Sequence, residues 1–281
     1  MQEPRILGER FLEQLHRHVI NIMCLDSGPE ARRRNDGKCA LYNFSAFVVE
    51  IEGRWFAITA GHIFRKLKEA TACGSIISDW QIDDSIVSSK PKEAYRISVN
   101  IDLDVIWLYE EDDGFDYACL ELGYLTQEAL KKEGISAVSQ DLWQSDDIEE
   151  FTLWLLVGTP MEFARLVAGE PVEKSHATIQ LERSAEVPGG LTETEYKRLY
   201  AKIHFESVME GGSGFNIEGM SGGPIFGLRP FTESSPYEYR LIGVQSAWNR
   251  KDSVAICAAY PFIQAIRQRI TANTVPPKPD A

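Results

Sequence analysis

Long apolar runs are missing from this chain. Nothing in its 281 residues approaches the ~18 apolar residues that span a bilayer as a helix. The most apolar stretch, Phe151-Thr152-Leu153-Trp154-Leu155-Leu156-Val157, has the length of a buried strand. Cysteine is also scarce. The five, Cys24, Cys39, Cys73, Cys119 and Cys257, are odd in number and scattered, with no CxxC pair. That argues against a disulfide framework and a structural zinc site, and for reduced thiols in a cytoplasmic protein. Positive charge is in deficit, 29 Lys and Arg against 42 Asp and Glu, for a net −13 with no long basic block. Nucleic acid and anionic membranes are therefore poor partners on electrostatic grounds. The segment Met1–Arg10 lacks the uninterrupted apolar core and small-residue cleavage site of a signal peptide, which adds to the cytoplasmic expectation.

What is present is a soluble globular composition, 44% hydrophobic and 25% charged, with short β-like segments. Ile6, Leu7, Phe11, Leu12, Leu15, Val19 and Ile20 fall at helical spacings, so an amphipathic helix is expected over 5–22. Phe44–Ile51 and Trp55–Thr59, parted by Glu52-Gly53-Arg54, read as a hairpin. A short helical turn is expected at 63–70, loops joining short strands over 71–95, and strands at 95–99 and 104–108. Thr126 is the expected cap of a helix that Gly134 ends, followed by an acidic, solvated connector over 141–150. Further strands are expected at 151–157, 163–168, 176–182, 198–207, 224–228, 240–247 and 253–258. A helix from Tyr260 to Ile270 and a tail with three prolines follow. Two groups of strands joined by a linker suggest two antiparallel barrels or sandwiches.

Chemistry concentrates at Gly219-Met220-Ser221-Gly222-Gly223-Pro224. The glycines permit positive φ and leave amide N–H groups free to face a developing oxyanion, while the serine hydroxyl is a candidate nucleophile. Such a hydroxyl needs a base within reach and a third group to orient that base. Histidine is limited to five. His16 and His18 fall on the expected N-terminal helix, and His176 and His204 fall within strand patterns. His62 follows an apolar strand and the small residues Thr59-Ala60-Gly61, where a ring emerges at a strand end.

Thr59-Ala60-Gly61-His62 and Gly219-Met220-Ser221-Gly222-Gly223-Pro224 resemble the histidine and serine motifs of the chymotrypsin-like serine peptidases, in particular the compact bacterial trypsin-like branch. Asp116-Tyr117-Ala118-Cys119-Leu120 is similar to the aspartate motif, and Ile242-Gly243-Val244-Gln245-Ser246 to the strand that pairs with substrate. The similarity runs from about 40 to 265 and keeps the family order His, Asp, Ser. It implies a mainly all-β fold of two six-stranded antiparallel β-barrels of chymotrypsin-like type, with N-terminal and C-terminal helices. The units are then an N-terminal helical segment 1–25, a first barrel 26–125 with His and Asp, and a linker 126–150. A second barrel 151–259 with Ser and a C-terminal helix and tail 260–281 complete them.

The resemblance implies that Ser221 attacks a peptide carbonyl, His62 moves the proton, Asp116 orients the imidazole, and the N–H groups of Gly219 and Ser221 bind the oxyanion. Asp102, Asp104, Asp112 and Asp113 are alternatives to Asp116, which is preferred for the strand that follows it. Phe215, Ser246 and Ala247 are the substrate-binding candidates, with an apolar or small side chain before the cut. Trp248 is either a pocket wall or core filling. Surface insertions are expected at 71–95 and 184–196. Met220 departs from the family, where many members carry Asp or Asn. It cannot pair with a newly cut amine, so activation by N-terminal cleavage is not expected, and the oxyanion hole is either ordered in another way or disordered until a partner or substrate binds. No metal or cofactor is implied; a polypeptide substrate and a regulatory protein partner are. The residues leave two other readings to compare. A peptide-binding or sensing module keeps the fold with little or no turnover. An α/β-hydrolase esterase requires a histidine after the serine and βαβ alternation, and this chain has neither.

Overall fold

The structure is a computed structural model. It describes residues 11–83, 97–99, 101, 108–110, 114–144, 147–161, 164–165, 173–174, 176–204, 216–229 and 238–274. Phe215, Asp102, Asp104, Asp112, Asp113 and most of the expected strand at 104–108 lie outside these residues, as does the end of the tail.

Alternation along one strand organises the first half. Strand β2 (Ala40–Ile51) turns back into β3 (Arg54–Thr59) through Glu52 at φ 52° and Gly53 at φ 73°, the two positive angles of a tight hairpin that matches strand twist. Side chains then alternate between faces. Phe47, Val49 and Ile51 enter one apolar cluster, and Ala46 and Val48 enter another. With β1 (Val19–Asp26), β4 (Ile77–Asp83), β5 (Ile97–Ser98), β6 (Leu108–Glu110) and β7 (Tyr117–Glu121) they form an antiparallel sheet. Its order among the described residues is β5-β4-β1-β2-β3-β7-β6.

The second half is a closed six-stranded antiparallel barrel. Strands β8 (Leu153–Gly158), β11 (Ala177–Ser184), β12 (Leu199–Ile203), β13 (Pro224–Leu228), β14 (Tyr239–Trp248) and β15 (Ser253–Ala258) run in the order β11-β12-β15-β14-β13-β8, and β8 pairs with β11 to close it. A small ribbon of β9 (Ala164–Arg165) and β10 (Glu173–Lys174) stands apart. Trp154 and Leu156 of β8 point into the barrel with Ile179, Ile225 and Ile256. Val157, on the opposite face, joins the cluster shared with the first half. There it meets the apolar face of the C-terminal helix α5 (Ala259–Thr274), carried by Phe262, Ile263, Ile266 and Ile270. The chain adopts the expected mainly-β fold with a C-terminal helix; of the two six-stranded barrels expected, the second is closed, and the first half is the seven-stranded antiparallel sheet among the described residues.

Several expectations are corrected. Only residues 11–16 of the proposed N-terminal helix are helical among the described residues (α1), and Val19–Asp26 is a strand paired residue for residue with β2. The spacing was ambiguous because the strand is buried on both faces, where apolar residues run on without strict alternation. After the short helix α2 (Pro29–Arg34), the turn at 63–70 proves to be a full helix, α3 (Gly61–Ala72), and β4 occupies part of the expected loop. Helix α4 (Tyr124–Lys132) starts after Gly123 rather than at Thr126, while Gly134, at φ 89°, follows its end. The connector over 141–150 is not simply solvated. Trp143 is fully buried against the first sheet, and its indole donates to the Glu50 carbonyl at 3.1 Å. Among the described residues no helix is long and apolar enough to cross a membrane, and the five cysteines form no disulfide.

Candidate functional site

The join between β3 and α3 carries His62, the second residue of the helix. A helix N-terminus leaves its first backbone N–H groups without intrahelical partners, and here an acidic side chain supplies one. Asp116 Oδ1 accepts the His62 backbone N–H at 2.8 Å, and Asp116 Oδ2 lies 2.8 Å from His62 Nδ1. Pairing of β7 with β3, Ala118 opposite Thr59, delivers the carboxylate to that spot. Asp116 is 2% exposed, so its orientation is fixed by packing as well as by hydrogen bonds. A carboxylate only accepts, so Nδ1 carries the proton of that bond, and Nε2 is the ring nitrogen it leaves for another partner. Cys257 sits beside Asp116, and burial pushes its thiol up to about 12, which keeps it protonated there.

The serine turn is built from main-chain bonds. Met220 N–H donates to Ile217 O at 3.0 Å and Gly223 N–H to Met220 O at 2.8 Å, while Gly222 N–H and Gln245 N–H exchange bonds with Gln245 O and Gly223 O at 3.0 Å each. Gly219 at φ 93° and Gly222 at φ 88° hold the left-handed angles this path needs. Two carbonyls of the turn are tied from outside it. Glu218 O accepts Met161 N–H at 2.7 Å, and Gly219 O accepts the Ser45 hydroxyl at 2.9 Å. In a trans peptide the N–H points away from the preceding carbonyl, so the first bond aims Gly219 N–H to the opposite side. The N–H groups of Gly219 and Ser221 donate to nothing among the described residues. They are the pair that an oxyanion would engage.

The Met220 side chain is fully buried in the barrel core with Ile217 and Ile225, so it anchors the turn by apolar packing.

The halves meet at Gly222. An added Cβ there would lie 2.0 Å from Thr59 Oγ1, 2.4 Å from Ser45 O and 2.9 Å from Ala60 N. Ser221 is therefore held beside the strand end that leads to His62. His62 and Asp116 are joined directly, whereas Ser221 Oγ makes no hydrogen bond to His62 among the described residues. The remaining candidates divide. Ser246 is buried, and its hydroxyl donates to Ala255 O at 3.2 Å, which commits that side chain to the barrel wall. Ala247 is half-buried at a bulge in the β14–β15 pairing. Trp248 is partly buried and packs against the barrel core. Sequence reasoning gave no role to Ser45 or Met161, and Gln245 figured only as part of the strand Ile242-Gly243-Val244-Gln245-Ser246. Of the first two, only Ser45 left a trace, as a small polar residue inside an apolar strand. No group of His, Cys, Asp and Glu suited to a metal ion occurs among the described residues.

No family model and no curated protein matches the chain. Solved structures do. The chain is similar to a thermostable serine protease, AL20, from an extremophilic microorganism, at 13% identity and a TM-score of 0.46 over 92% of this chain and 99% of that one. It is similar to the active form of the Rv3671c protease from M. tuberculosis at 12% identity and 0.41 over 92% and 82%. The inactive form of the Rv3671c protease matches at 9% identity and 0.45 over 94% and 96%.

Proposed function

We propose that this protein is a serine endopeptidase that hydrolyses peptide bonds in a polypeptide substrate. Ser221 Oγ attacks the carbonyl, and His62 Nε2 takes its proton and returns it to the leaving amine. Asp116 holds the imidazole and stabilises its charged form. The N–H groups of Gly219 and Ser221 receive the negative oxygen, a contribution of about 3 kcal/mol per donor. The second half-reaction repeats these steps with water attacking the acyl group on Ser221.

The single observation that carries this reading is the Asp116 carboxylate. One oxygen fixes the His62 main chain and the other fixes its ring, which pins the tautomer and direction a general base needs. The test is labelling by a fluorophosphonate, with cleavage of a peptide library as the second readout. Wild type is expected to label, and Ser221→Ala and His62→Ala are not. Asp116→Asn is expected to lose roughly four orders of magnitude in kcat, because an amide favours the wrong tautomer. Clustering of library cleavage after Lys or Arg would reject the expected apolar or small side chain at the cut.

One observation favours a second reading, a peptide-binding module: Ser221 Oγ lacks a hydrogen bond to His62 among the described residues. Folded, monodisperse wild type that neither labels nor cleaves would favour that module, or a peptidase activated by a partner, over a constitutively active one.

A further inference from the structure

Ser45 belongs to β2, in the half of the chain that carries His62 and Asp116, yet its side chain is committed to the other half. It is fully buried. Its Oγ accepts the Thr159 N–H at 2.9 Å and donates to Gly219 O at 2.9 Å. We propose that Ser45 is a positioning residue that latches the oxyanion turn in its receptive orientation. The proposal rests on the peptidase reading, since a hole needs a nucleophile beside it.

A hydroxyl has one proton. Because Thr159 N–H occupies a lone pair of Oγ, the Ser45 proton is directed to Gly219 O. The two peptide units around Gly219 are thereby pinned from separate sides. Met161 N–H holds the carbonyl of the Glu218–Gly219 unit and Ser45 holds that of the Gly219–Met220 unit. Rotation of a peptide is the cheap motion at a glycine, and here it would turn the Gly219 N–H out of the hole. That rotation of the Glu218–Gly219 unit gives up the Met161 bond, and rotation of the next unit, which carries the Gly219 carbonyl, gives up the Ser45 bond together with the Met220 N–H bond to Ile217 O. Met220, an apolar plug, offers the turn no side-chain hydrogen bond; among the described residues Asn216 Oδ1 accepts the Glu218 N–H at 2.9 Å, and the Ser45 hydroxyl is the side chain that holds the Gly219 carbonyl.

The backbone of the same residue reaches the base. Ser45 O accepts the Thr59 hydroxyl at 2.8 Å, and Thr59 leads through Ala60 into α3 and His62. Ser45 O and Thr59 Oγ1 are also the surface against which Gly222 packs. One residue thus contacts the hole, the nucleophile turn and the strand end bearing the histidine. Without the hydroxyl, Gly219 O is left without its donor, and a carbonyl so placed turns to find another.

The experiment compares wild type, Ser45→Ala and Ser45→Thr, the last keeping the hydroxyl. In Ser45→Ala, kcat per titrated active site is expected to fall roughly 10–100-fold with KM nearly unchanged, and Ser45→Thr to recover it in part. Affinity for a peptide boronate, which places a tetrahedral oxygen in the hole, should fall by the same factor as kcat/KM, while affinity for the matching product peptide should not. Amide signals of Gly219 and Ser221 in a 1H–15N spectrum should shift or broaden, and that of Ile256 in the barrel should not. Unchanged kcat and boronate affinity in folded Ser45→Ala overturns the proposal, as does a rate that falls only with the folded fraction. If wild type itself has no turnover, the peptidase reading fails, and the amide spectrum still decides the latch: unmoved Gly219 and Ser221 signals overturn it. If Ser45→Ala does not fold, Ser45→Cys, a similar shape with a weak donor, is read the same way.

Discussion

Gly222→Ala is the substitution for which the geometry gives the firmest number. The new Cβ would stand 2.0 Å from Thr59 Oγ1, 2.4 Å from Ser45 O and 2.9 Å from Ala60 N, at a backbone φ of 88°. Two of those atoms are main chain and cannot swing aside. The third is a buried hydroxyl bonded to Ser45 O. A left-handed alanine costs about 1–2 kcal/mol, overpacking a filled site about 1–3, and loss of the Thr59 bond about 1. The expected destabilisation is therefore roughly 3–6 kcal/mol, seen as a lower midpoint in urea with an unchanged slope. Gly53→Ala is the control. Gly53 has φ 73° and nothing within 4 Å of its added Cβ, so only the backbone cost of about 1–2 kcal/mol applies. The folded fraction of Gly222→Ala should also lose about 100-fold or more in kcat/KM, because a shift of about 1 Å between Ser221 and His62 spoils the attack geometry. Equal stability losses in the two variants would refute the claim that the halves of the protein are in hard contact at Gly222.

Other perturbations test the surroundings. Met220→Asp places an unpaired charge in the barrel core and should destabilise by about 3–5 kcal/mol, whereas Met220→Leu should cost less than about 1.5, both read by urea denaturation. His18 is buried between the Ser136 carbonyl and the Tyr239 hydroxyl, each 2.8 Å from a ring nitrogen, and burial lowers its pKa to about 4 from the ordinary 6.5. The unfolded chain therefore takes up a proton that the folded one refuses. Stability is kept above pH 6.5 and lost as the pH falls towards 4, by about 3 kcal/mol in all at 1.36 kcal/mol per pH unit. His16, whose pKa burial also lowers, adds in the same direction. His18→Gln should flatten the stability profile between pH 6.5 and 4, and an unchanged profile would remove His18 as its source.

Much of the fold could be read from the sequence wherever local pattern and tertiary environment agree. The strands expected at 224–228 and 253–258 have those bounds, and the β2–β3 hairpin turns at Glu52-Gly53. Reading failed where burial overrides pattern. Val19–Asp26 is covered on both faces, so its apolar residues carry no clean period of two. One buried tryptophan, Trp143, turns an acidic connector into a packed segment. The site divides on the same principle. His62 and Ser221 stand in contiguous strings whose glycines and small residues have local reasons, and Asp116 is followed by its own strand. Ser45 has no local reason, because its partner Gly219 is 174 residues away.

That separation bears on how the serine turn is ordered. A turn rich in glycine has several main-chain paths of similar energy, so something outside it must select one. Here the selection is shared between two kinds of force. Met220 supplies apolar burial, which fixes the depth of the turn in the barrel but is not directional. Met161 N–H and the Ser45 hydroxyl supply directional bonds, which fix the rotation of the peptides on either side of Gly219. These directional bonds add to the turn's own main-chain bonds, Met220 N–H to Ile217 O and Gly223 N–H to Met220 O, while burial sets its depth. Because Ser45 belongs to the first sheet, its bond to the Gly219 carbonyl depends on that sheet being folded and docked on the barrel. The barrel without the first half would retain Ser221 but lack both His62 and the Ser45 donor to the Gly219 carbonyl.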